Sequence, residues 1–512
     1  MNILLATSEA VPFAKTGGLA DVCGALPIEL ARLGHQVSVI MPAYRGTRYC
    51  GLPIEPLGID FIVPIGSKTV TGHLARSYLP TGGEPKSPLQ SARPSVPVYL
   101  VQQDQYFDRD QLYSVDGKDY IDNCERFVFF SRAVLEAIRL LDLQVDVLHA
   151  NDWQTGLVPA YLKVEYHHVP RYRNIATLLT IHNMAFQGQF WHWDMLLTGL
   201  DWKYFNWHQM EFHGKLNLLK TAMVFADSLN TVSPRYAEEI QTSPLGCGLE
   251  GVLQHRRDVL SGILNGIDVR EWNPATDSHL PARYGSDTVG EGKPVCKAAL
   301  QKELGLPQLP QAPLVGTVGR LTDQKGFDLI AEVVQRWLQT SEVQWVVLGT
   351  GQPKYHRLFE GLAQRYPEKI AVRLEFSNPL AHRIEAGSDL FLMPSRFEPC
   401  GLNQMYSLKY GAVPLVRETG GLADTITGYG RQASSANGRH AAGPSPNGFV
   451  FQEYSPLALS ETLRQAVEVY QNQPDVWRQL IQTGMRQDWS WARSAREYVG
   501  LYEKTKARAR QT

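Results

Sequence analysis

The chain has 512 residues, which is too long for a single ordinary core and indicates roughly two to four domains. Its 50 basic and 51 acidic side chains give a formal net charge of −1, so no global field would attract nucleic acid or an anionic membrane. No run of about 18 apolar residues occurs, which excludes a membrane-spanning helix.

Short apolar runs, each followed by a turn and a helix-like stretch, predict two series of β-strands. The first series comprises Asn2–Thr7, Gln36–Met41, Val145–Ala150, Thr177–Ile181, Ser228–Val232 and Ser261–Leu264, with a helix over Gly18–Leu33. The second comprises Leu314–Val318, Val343–Leu348, Asp389–Met393 and Val413–Val416. Buried strands that alternate with helices predict α/β domains with parallel sheets, in which ligands bind at the carboxyl ends of the strands.

The two series predict one domain over residues 1–262, a second over 263–488, and a basic helix over 489–512. Stretches rich in Pro, Ser and Gly at Pro80–Pro97 and Gly428–Gly448 are predicted to be surface loops. The aromatic stretch Trp191–Trp207 could form a lid or a sugar platform. We interpret it as core packing, because no spacing distinguishes these roles.

A six-residue repeat occurs once in each half of the chain. Thr-Gly-Gly-Leu-Ala-Asp follows the first strand at residues 16–21 and a late strand at residues 419–424. Glycine lets the backbone approach a ligand, and a helix start offers free N–H donors and a positive dipole end. The repeat therefore predicts that each domain presents an anion- or hydroxyl-binding helix start.

Two basic residues follow the strand Leu314–Val318. Arg320 and Lys325 leave its carboxyl end with glycine on both sides, where the phosphates of a ligand would lie. A guanidinium and an ammonium together can neutralise a diphosphate and stabilise it as a leaving group. A solvated basic loop is the alternative, and the position at a strand end favours function.

An acidic residue follows the strand Asp389–Met393. Glu398 stands on a turn before proline, Cys400 and glycine, where a carboxylate could orient sugar hydroxyls or offset an oxocarbenium-like charge. A helix-capping role fits the spacing equally well. Cys400 is interpreted as a small packed side chain and not as a nucleophile.

In the first half, Asp152 and His182 each follow a buried strand, so they could meet at one sheet edge. A single histidine at a strand end is more often structural than catalytic. The sequence contains no Gly-x-Ser-x-Gly elbow, no P-loop lysine motif and no His-Glu-x-x-His. Their absence counts against serine hydrolases, P-loop NTPases and zincins.

The six cysteines are scattered, with no Cys-x-x-Cys pair and no ligand-like spacing to histidine. This pattern predicts neither a structural zinc site nor a disulfide framework. The first residues lack the basic stretch and long apolar run of a secretory signal. The expected location is the cytoplasm.

Taken in order, these motifs resemble the bacterial glycogen synthases and plant starch synthases, which use nucleotide-glucose donors. The resemblance covers essentially the whole chain and is carried by Lys15–Val22, Ala150–Trp153, Ile181–Gly188, Thr231–Pro234, Leu264–Asp268, Ser395–Gly401 and Thr419–Asp424. It implies a GT-B architecture, in which two Rossmann-like domains face each other across a deep cleft and a C-terminal helix crosses back to the first. It further implies that the N-terminal domain serves the acceptor glucan and the C-terminal domain the donor.

The implied activity is that of a retaining hexosyltransferase, which transfers glucose from ADP-glucose to the non-reducing end of an α-1,4-glucan in glycogen or starch. The implied catalytic residues are Glu398, His182, Arg320, Lys325 and Asp152. The implied substrate-binding residues are Lys15, Gly17, Gly18, Asp21, Asn183, Asn265, Phe376, Ser395, Cys400, Gly401, Thr419, Gly420 and Gly421. Phe376 stands where the family usually has a tyrosine against the base.

One position bears on the mechanism. Related retaining enzymes carry a second glutamate, where this chain has Tyr406, and synthases of the resembled type lack that glutamate too. The resemblance therefore implies front-face displacement, in which the leaving phosphate accepts the proton of the acceptor hydroxyl. Neither a metal nor a cofactor is expected, because Arg320 and Lys325, with two helix starts, can carry the diphosphate charge.

Several alternatives stay open. Sucrose synthases and trehalose-phosphate synthases are related retaining enzymes, and an acceptor screen separates them. A glucan phosphorylase would carry pyridoxal phosphate. A non-catalytic glucan-binding scaffold is disfavoured by the presence of Glu398, His182, Arg320 and Lys325. ADP-glucose is preferred to UDP-glucose because the resemblance is to the bacterial and plant group, and the oligomeric state stays undetermined.

Overall fold

The computed structural model describes residues 1–80, 96–115, 117–430 and 445–511. Most of the predicted loops Pro80–Pro97 and Gly428–Gly448 lies outside the described residues. The described chain forms two compact units. The first comprises Met1–Val232, Ala237–Ile263 and Trp491–Thr512, and the second comprises Ser233–Tyr236 and Leu264–Ser490.

The elements up to residue 263 are β1 (Asn2–Ala6), α1 (Gly18–Arg32), β2 (Gln36–Pro42), β3 (Glu55–Ile65), β4 (Lys68–Tyr78), β5 (Pro97–Gln102), α2 (Asp104–Phe107), β6 (Ser114–Val115), β7 (Lys118–Asp119), α3 (Asn123–Leu140), β8 (Val147–Asn151), α4 (Leu157–Val164), β9 (Ala176–Ile181), β10 (Gln189–Trp191), α5 (Met195–Thr198), β11 (Glu211–Phe212), β12 (Lys215–Asn217), α6 (Leu218–Phe225), β13 (Ser228–Thr231), α7 (Pro234–Glu239), α8 (Glu250–His255) and β14 (Leu260–Gly262). The later elements are α9 (Val289–Leu304), β15 (Leu314–Val318), α10 (Phe327–Thr340), β16 (Gln344–Leu348), α11 (Pro353–Arg365), β17 (Ile370–Arg373), α12 (Asn378–Gly387), β18 (Leu390–Met393), α13 (Asn403–Tyr410), β19 (Val413–Arg417), α14 (Gly420–Thr425), β20 (Phe449–Phe451), α15 (Pro456–Asn472), α16 (Pro474–Arg486) and α17 (Trp491–Ala509).

The main sheet of the first unit has nine strands in the order β14-β13-β9-β8-β1-β2-β5-β4-β3. In this order, the first seven strands, from β14 to β5, run parallel to one another. The last two, β4 and β3, form an antiparallel hairpin at one edge of the sheet. Central strands such as β8 and β9 are buried at every position, because helices cover both faces of a parallel sheet. This arrangement brings the carboxyl ends of β1, β8 and β9 side by side.

The second unit has a six-stranded, fully parallel sheet in the order β17-β16-β15-β18-β19-β20. Its central strand β15 pairs with β16 on one side and β18 on the other. The loops after β15 and β18 therefore leave the sheet as neighbours, at the edge where ligands of such sheets bind. Two domains with parallel α/β sheets agree with the predicted fold class.

The C-terminal helix α17 belongs to the first unit. Tyr502 and Tyr498 are buried, and their hydroxyls contact His149 on β8 at 2.9 Å and Asn230 on β13 at 3.1 Å. Lys506 pairs with Asp146 at 2.8 Å. Among the helices of the described ranges, none is long and apolar enough to cross a membrane.

Ten strands of the described chain were not predicted from the sequence, namely β3 to β7, β10 to β12, β17 and β20. In the β3–β4 hairpin, buried and exposed positions alternate along much of each strand, but the sequence of β3 does not alternate with them, because residues 61–65 are apolar throughout. β17 and β20 are only 4 and 3 residues long, and β10 to β12 form a separate three-stranded antiparallel sheet.

The interpretation of Trp191–Trp207 as core packing is wrong for four of its residues. Four indole side chains are largely exposed: Trp191 (64%), Trp193 (49%), Trp202 (42%) and Trp207 (70%). Phe190, by contrast, packs against Trp153 with ring centroids 5.6 Å apart.

Candidate active site

In the first unit, the loop after β1 is organised by a buried carboxylate. Glu9 is 3% exposed and accepts hydrogen bonds from the Thr16 backbone N–H at 2.5 Å and the Thr16 hydroxyl at 2.6 Å. The Tyr113 hydroxyl donates to the same carboxylate at 2.7 Å. Glu9 thus fixes the turn that leads into α1. Glu9 was not among the site residues predicted from the sequence, although an acid directly after a strand end was a usable signal.

The Gly17–Gly18 turn that follows has no steric reason to be glycine. A β-carbon at either position would meet no heavy atom within 4 Å in the described chain. Gly17 is extended, with φ −156°, so its backbone does not require glycine either. Lys15 and Asp21 flank the turn and form an ion pair of 2.6 Å at the surface. The turn leaves space where a ligand could approach the first N–H groups of α1.

Asp152 and His182 meet at the ends of the adjacent strands β8 and β9. The Asp152 carboxylate accepts a hydrogen bond from the His182 backbone N–H at 2.7 Å, and the Asn183 N–H also donates to it. Burial raises the pKa of Asp152 to about 7. Asp152 also has a positive φ of 56°, a strained conformation for a residue with a side chain. Perturbed carboxyls on strained backbone are typical of functional sites.

The protonation state of His182 follows from its partners. Burial lowers its pKa to about 3, so the ring is neutral at physiological pH. The Asn151 amide nitrogen donates to the carbonyls of Ala6 and His149, which leaves its oxygen to face His182 Nε2 at 3.0 Å. That oxygen can only accept, so Nε2 carries the proton and Nδ1 holds the lone pair.

In the second unit, the structure brings Lys325, Glu398 and Ser395 together. Lys325 lies in the turn after β15, and its ammonium is 2.6 Å from the Glu398 carboxylate. The Ser395 hydroxyl donates to the same oxygen at 3.1 Å. Glu398 is 5% exposed, so the carboxylate is nearly buried and depends on these two donors.

Close backbone packing sets the Lys325–Glu398 distance. Gly326 has φ 78°, and a β-carbon there would lie 2.2 Å from the carbonyl oxygen of Pro394. Only glycine lets the loops after β15 and β18 approach this closely. Arg320 leaves the same strand end with its side chain exposed, and no ion pair joins it to another described residue.

The second Gly-Gly turn differs from the first. Gly420 has φ 44°, and β-carbons at Gly420 and Gly421 would each lie 2.0 Å from a backbone oxygen of the Glu398–Cys400 loop. The Gly421 N–H already donates to the carbonyl of Glu398 at 3.1 Å. Thr419 precedes this helix start and is buried. The prediction of two equivalent helix starts with free donors is therefore not met at Gly421, because the turn is packed against its own unit.

A buried acceptor lies beside this loop. Asn265 is 6% exposed, and its side-chain oxygen has no hydrogen-bond partner among the described residues. Its backbone N–H faces the Cys400 thiol, and burial raises the pKa of that thiol to about 12. Cys400 is thus a protonated, packed side chain, as interpreted from the sequence. An unpaired buried oxygen costs folding free energy, so a ligand that donates a hydrogen bond to Asn265 would explain it.

Three further sequence positions lie around the loop. Gly401 has φ 73°, which favours glycine in the turn after Cys400. Phe376 follows β17 and is 88% exposed, so its ring has a free face. Tyr406 stacks on Trp272 with ring centroids 3.8 Å apart, which makes this position aromatic packing and not a second carboxylate. Within the described ranges, no three His, Cys, Asp or Glu residues are grouped to hold a metal ion.

Comparisons with known proteins agree with this arrangement. Residues 2–255 match the family model of the starch synthase catalytic domain, and residues 306–479 match the model of glycosyl transferases group 1. The glycogen synthase of Rhodopirellula baltica is 46% identical over 507 residues, covering 99% of this chain and 98% of the relative. That of Syntrophotalea carbinolica is 46% identical over 504 residues, covering 98% and 99%.

Solved structures are similar over the same length. The catalytic domain of starch synthase IV from Arabidopsis thaliana, bound to ADP and acarbose, has a TM-score of 0.87 and 31% identity, with 99% of both chains covered. A sucrose-phosphate synthase from Thermosynechococcus elongatus has a TM-score of 0.55 at 16% identity, again over 99% of both chains. The second likeness concerns the fold alone.

Proposed function

The chain belongs to the starch synthase and glycogen synthase family of glycosyltransferases, and from this premise we propose that it extends an α-1,4-glucan with glucose from ADP-glucose, with retention of configuration. The observation that carries the proposal is the nearly buried Glu398 carboxylate held by Lys325 at 2.6 Å, in a chain 46% identical to a glycogen synthase over its whole length. A carboxylate and an ammonium at neighbouring strand ends suit a substrate that combines a sugar with a diphosphate.

We assign the donor diphosphate to Lys325 and Arg320. Lys325 is a compact cation at a strand end, and the exposed Arg320 guanidinium can bind phosphate oxygens in a bidentate manner. The unpaired side-chain oxygen of Asn265 can accept a hydrogen bond from a hydroxyl or amino group of the nucleotide sugar. The exposed Phe376 face is suited to stacking on the base.

In the first unit, we assign the transferred glucose to His182 and Asp152, with Asn183 beside them. The His182 ring is neutral, so it acts through hydrogen bonding and not as a cation. Burial raises the pKa of Asp152 to about 7, so near neutral pH the carboxyl can be protonated or charged. A ligand that changes how much water surrounds the carboxyl therefore changes its charge. The open Gly17–Gly18 turn, flanked by Lys15 and Asp21, leaves space for substrate oxygens.

The proposed reaction is a front-face displacement. The bond between the anomeric carbon and the diphosphate oxygen breaks, and the 4-hydroxyl of the terminal acceptor glucose bonds to that carbon from the same face. The leaving diphosphate takes the hydroxyl proton, since Tyr406 supplies no second carboxylate as base or nucleophile. Lys325 and Arg320 stabilise the charge of the leaving group, and Glu398 offsets positive charge on the sugar. The nucleotide sugar is a substrate, and the proposal includes no resident cofactor.

The test is transfer of labelled glucose into glycogen from ADP-glucose and from UDP-glucose, beside a Glu398→Gln variant. We expect incorporation that prefers ADP-glucose and collapses in the variant. Preference for UDP-glucose would refute the choice of donor alone. No incorporation from either donor, while the folded protein still binds glucan, would refute the synthase and favour a glucan-binding scaffold.

A further inference from the structure

Glu9 is a buried acid without a counter-ion. Its side chain, in the loop after β1, is 3% exposed, and no lysine, arginine or histidine of the described residues forms an ion pair with it. Lys15 pairs with Asp21 at 2.6 Å instead, and the buried guanidinium of Arg126 donates to two backbone carbonyls and one side-chain amide. A buried charge that no cation compensates costs folding free energy, so stability does not explain why this acid is present.

Neutral donors surround the Glu9 carboxylate at both oxygens. Oε1 accepts from the hydroxyls of Thr16 and Tyr113 at 2.6 and 2.7 Å, and Oε2 accepts from the backbone N–H groups of Thr16 and Gly17 at 2.5 and 3.4 Å. Burial raises the pKa of Tyr113 well above its usual range, so this hydroxyl keeps its proton. Only an ionised carboxylate accepts at both oxygens in this way, because a protonated acid would present a donor at one of them. Glu9 therefore carries a charge, and it holds the turn instead of contacting a ligand.

The pairing of the strands places Asp152 beside Glu9. β1 and β8 are adjacent and parallel, with Ala6 opposite Ala150. Glu9 stands three residues beyond Ala6, and Asp152 stands two residues beyond Ala150. The two acids therefore leave neighbouring strand ends at the same edge of the sheet, and Asp152 is buried as well, with 9% exposed.

The other groups around Asp152 are neutral. Its carboxyl accepts hydrogen bonds from backbone N–H groups, and no side chain of the described residues donates to it. Burial lowers the pKa of His182 and of His149 to about 3 and raises that of the Cys23 thiol on α1 to about 12, so none of these side chains is charged near pH 7. Glu9 is then the charged neighbour. Burial raises the pKa of Asp152 to about 7, and repulsion by the Glu9 carboxylate contributes to this rise.

We propose that Glu9 is a positioning residue of the transfer reaction, which holds the N–H groups of the glycine turn and keeps a proton on Asp152. The protonated Asp152 donates a hydrogen bond to an oxygen of the substrate, which its ionised form could not do. Two neighbouring acids in opposite protonation states take different roles, here a fixed charge and a hydrogen-bond donor. This inference rests on the proposed function for the reaction that it serves, and it gives a role to an acid that does not touch the substrate.

The first experiment measures kcat for glucose transfer to glycogen between about pH 5.5 and pH 9. In the parent protein, kcat should decrease as pH rises through about 7, because Asp152 loses its proton. In Glu9→Gln this decrease should occur about one pH unit lower, since removal of a neighbouring negative charge makes Asp152 easier to ionise. The maximal kcat should also fall about tenfold, because an amide cannot accept at both of its ends and the turn is held less firmly. Glu503→Gln, which neutralises an exposed glutamate of α17 in the same unit, is the matched control and should keep the parent profile.

Two further variants separate charge from shape. Glu9→Asp keeps the charge on a shorter side chain, so the maximal kcat should fall while the decrease stays near pH 7. This variant tests the proposal even where Glu9→Gln does not fold. Asp152→Asn is neutral at every pH and keeps a hydrogen-bond donor, so it should retain about a tenth or more of the parent kcat and lose the decrease near pH 7.

A decrease of kcat that stays near pH 7 in Glu9→Gln, or that moves in Glu9→Asp, would overturn the proposal. So would a collapse of kcat in Asp152→Asn, because the ionised form of Asp152 would then be the active one. The titration of Asp152 is also measured without turnover, from the difference in unfolding free energy between each protein and the same protein with Asp152→Asn. This difference should stop changing above about pH 7 in the parent and about one pH unit lower in Glu9→Gln. Absence of transfer from every nucleotide sugar would refute the proposed function instead, and the unfolding measurement would still test Glu9.

Discussion

Removal of the charge on Glu398 provides the sharpest test of the site. Glu398→Gln keeps the shape of the side chain and its ability to accept from Ser395, which lies 3.1 Å away. It deletes the negative charge that faces Lys325 at 2.6 Å. If Glu398 stabilises positive charge that develops on the sugar, the loss should fall on the transition state and not on donor binding.

The size of the effect follows from the geometry. A unit charge about 4 Å from a developing opposite charge is worth about 4 kcal/mol at an effective dielectric constant of about 20. Lys325 stays in place and is 25% exposed, so part of this interaction is already compensated and screened. We therefore expect a loss of about 3 to 4 kcal/mol, which corresponds to a decrease in kcat of about 10²- to 10³-fold. Lys325 also loses a competing partner, so ADP should bind as tightly or more tightly.

The assay measures kcat with labelled ADP-glucose and the Kd of ADP for both proteins. Glu332→Gln, which neutralises an exposed glutamate of α10 in the same unit, is the matched control and should leave both quantities unchanged. If the variant lost ADP affinity in proportion to its loss of rate, Glu398 would act by holding Lys325 for the donor. That result would refute transition-state stabilisation by the carboxylate.

Three further predictions concern the glycine turns, a buried acid and the C-terminal helix. Gly421→Ala should lower the thermal unfolding midpoint by several degrees, because its β-carbon would lie 2.0 Å from a carbonyl oxygen. Gly18→Ala should keep the midpoint of the parent protein and raise KM. Calorimetry measures the midpoints and kinetics the KM, and equal midpoints for the two variants would contradict the prediction for Gly421. Burial raises the folded-state pKa of Asp152 to about 7, so its contribution to stability is full below about pH 4 and is lost as pH rises through 7. Between pH 5 and pH 8, the free energy of unfolding of Asp152→Asn should therefore rise by about 3 kcal/mol relative to that of the parent protein. A difference that does not change with pH in urea unfolding would refute this. Tyr502→Phe removes the hydroxyl 2.9 Å from His149 and should cost about 1 to 3 kcal/mol in the same urea assay, and an unchanged midpoint would show that the contact contributes nothing.

The parallel strands could be predicted because their sequences record burial on both faces. Leu314–Val318 has the same bounds in the sequence prediction and in β15, since it is a short apolar run with turn residues beside it. In β3, by contrast, Phe61 and Val63 are buried while Ile62 is 64% exposed. The sequence there is apolar without alternation, so it does not reveal which face is buried or that the strand pairs with β4.

The candidate site was predictable only where chemistry coincides with a strand end. Asp152 and Lys325 both follow predicted strands, and parallel topology alone requires such residues to gather at one edge of their sheet. Glu9 also follows a strand end, but the local sequence does not show that its carboxylate accepts a hydrogen bond from Tyr113, which is 104 residues further along the chain. No local pattern contains that contact. Asn265 was implied by the family resemblance alone, and its unpaired oxygen becomes evident only when its surroundings are known.

The repeated Gly-Gly turns show what a motif leaves undetermined. At Gly420 and Gly421, glycine is required by the chain itself, because the loop that carries Glu398 occupies the space of any β-carbon. At Gly17 and Gly18, neither φ nor packing requires glycine, since no atom of the described residues lies within 4 Å of where a β-carbon would be. At these two positions glycine leaves room for another group to approach the backbone. Identical letters are therefore required by packing in the second unit, whereas in the first they border space that no described residue fills.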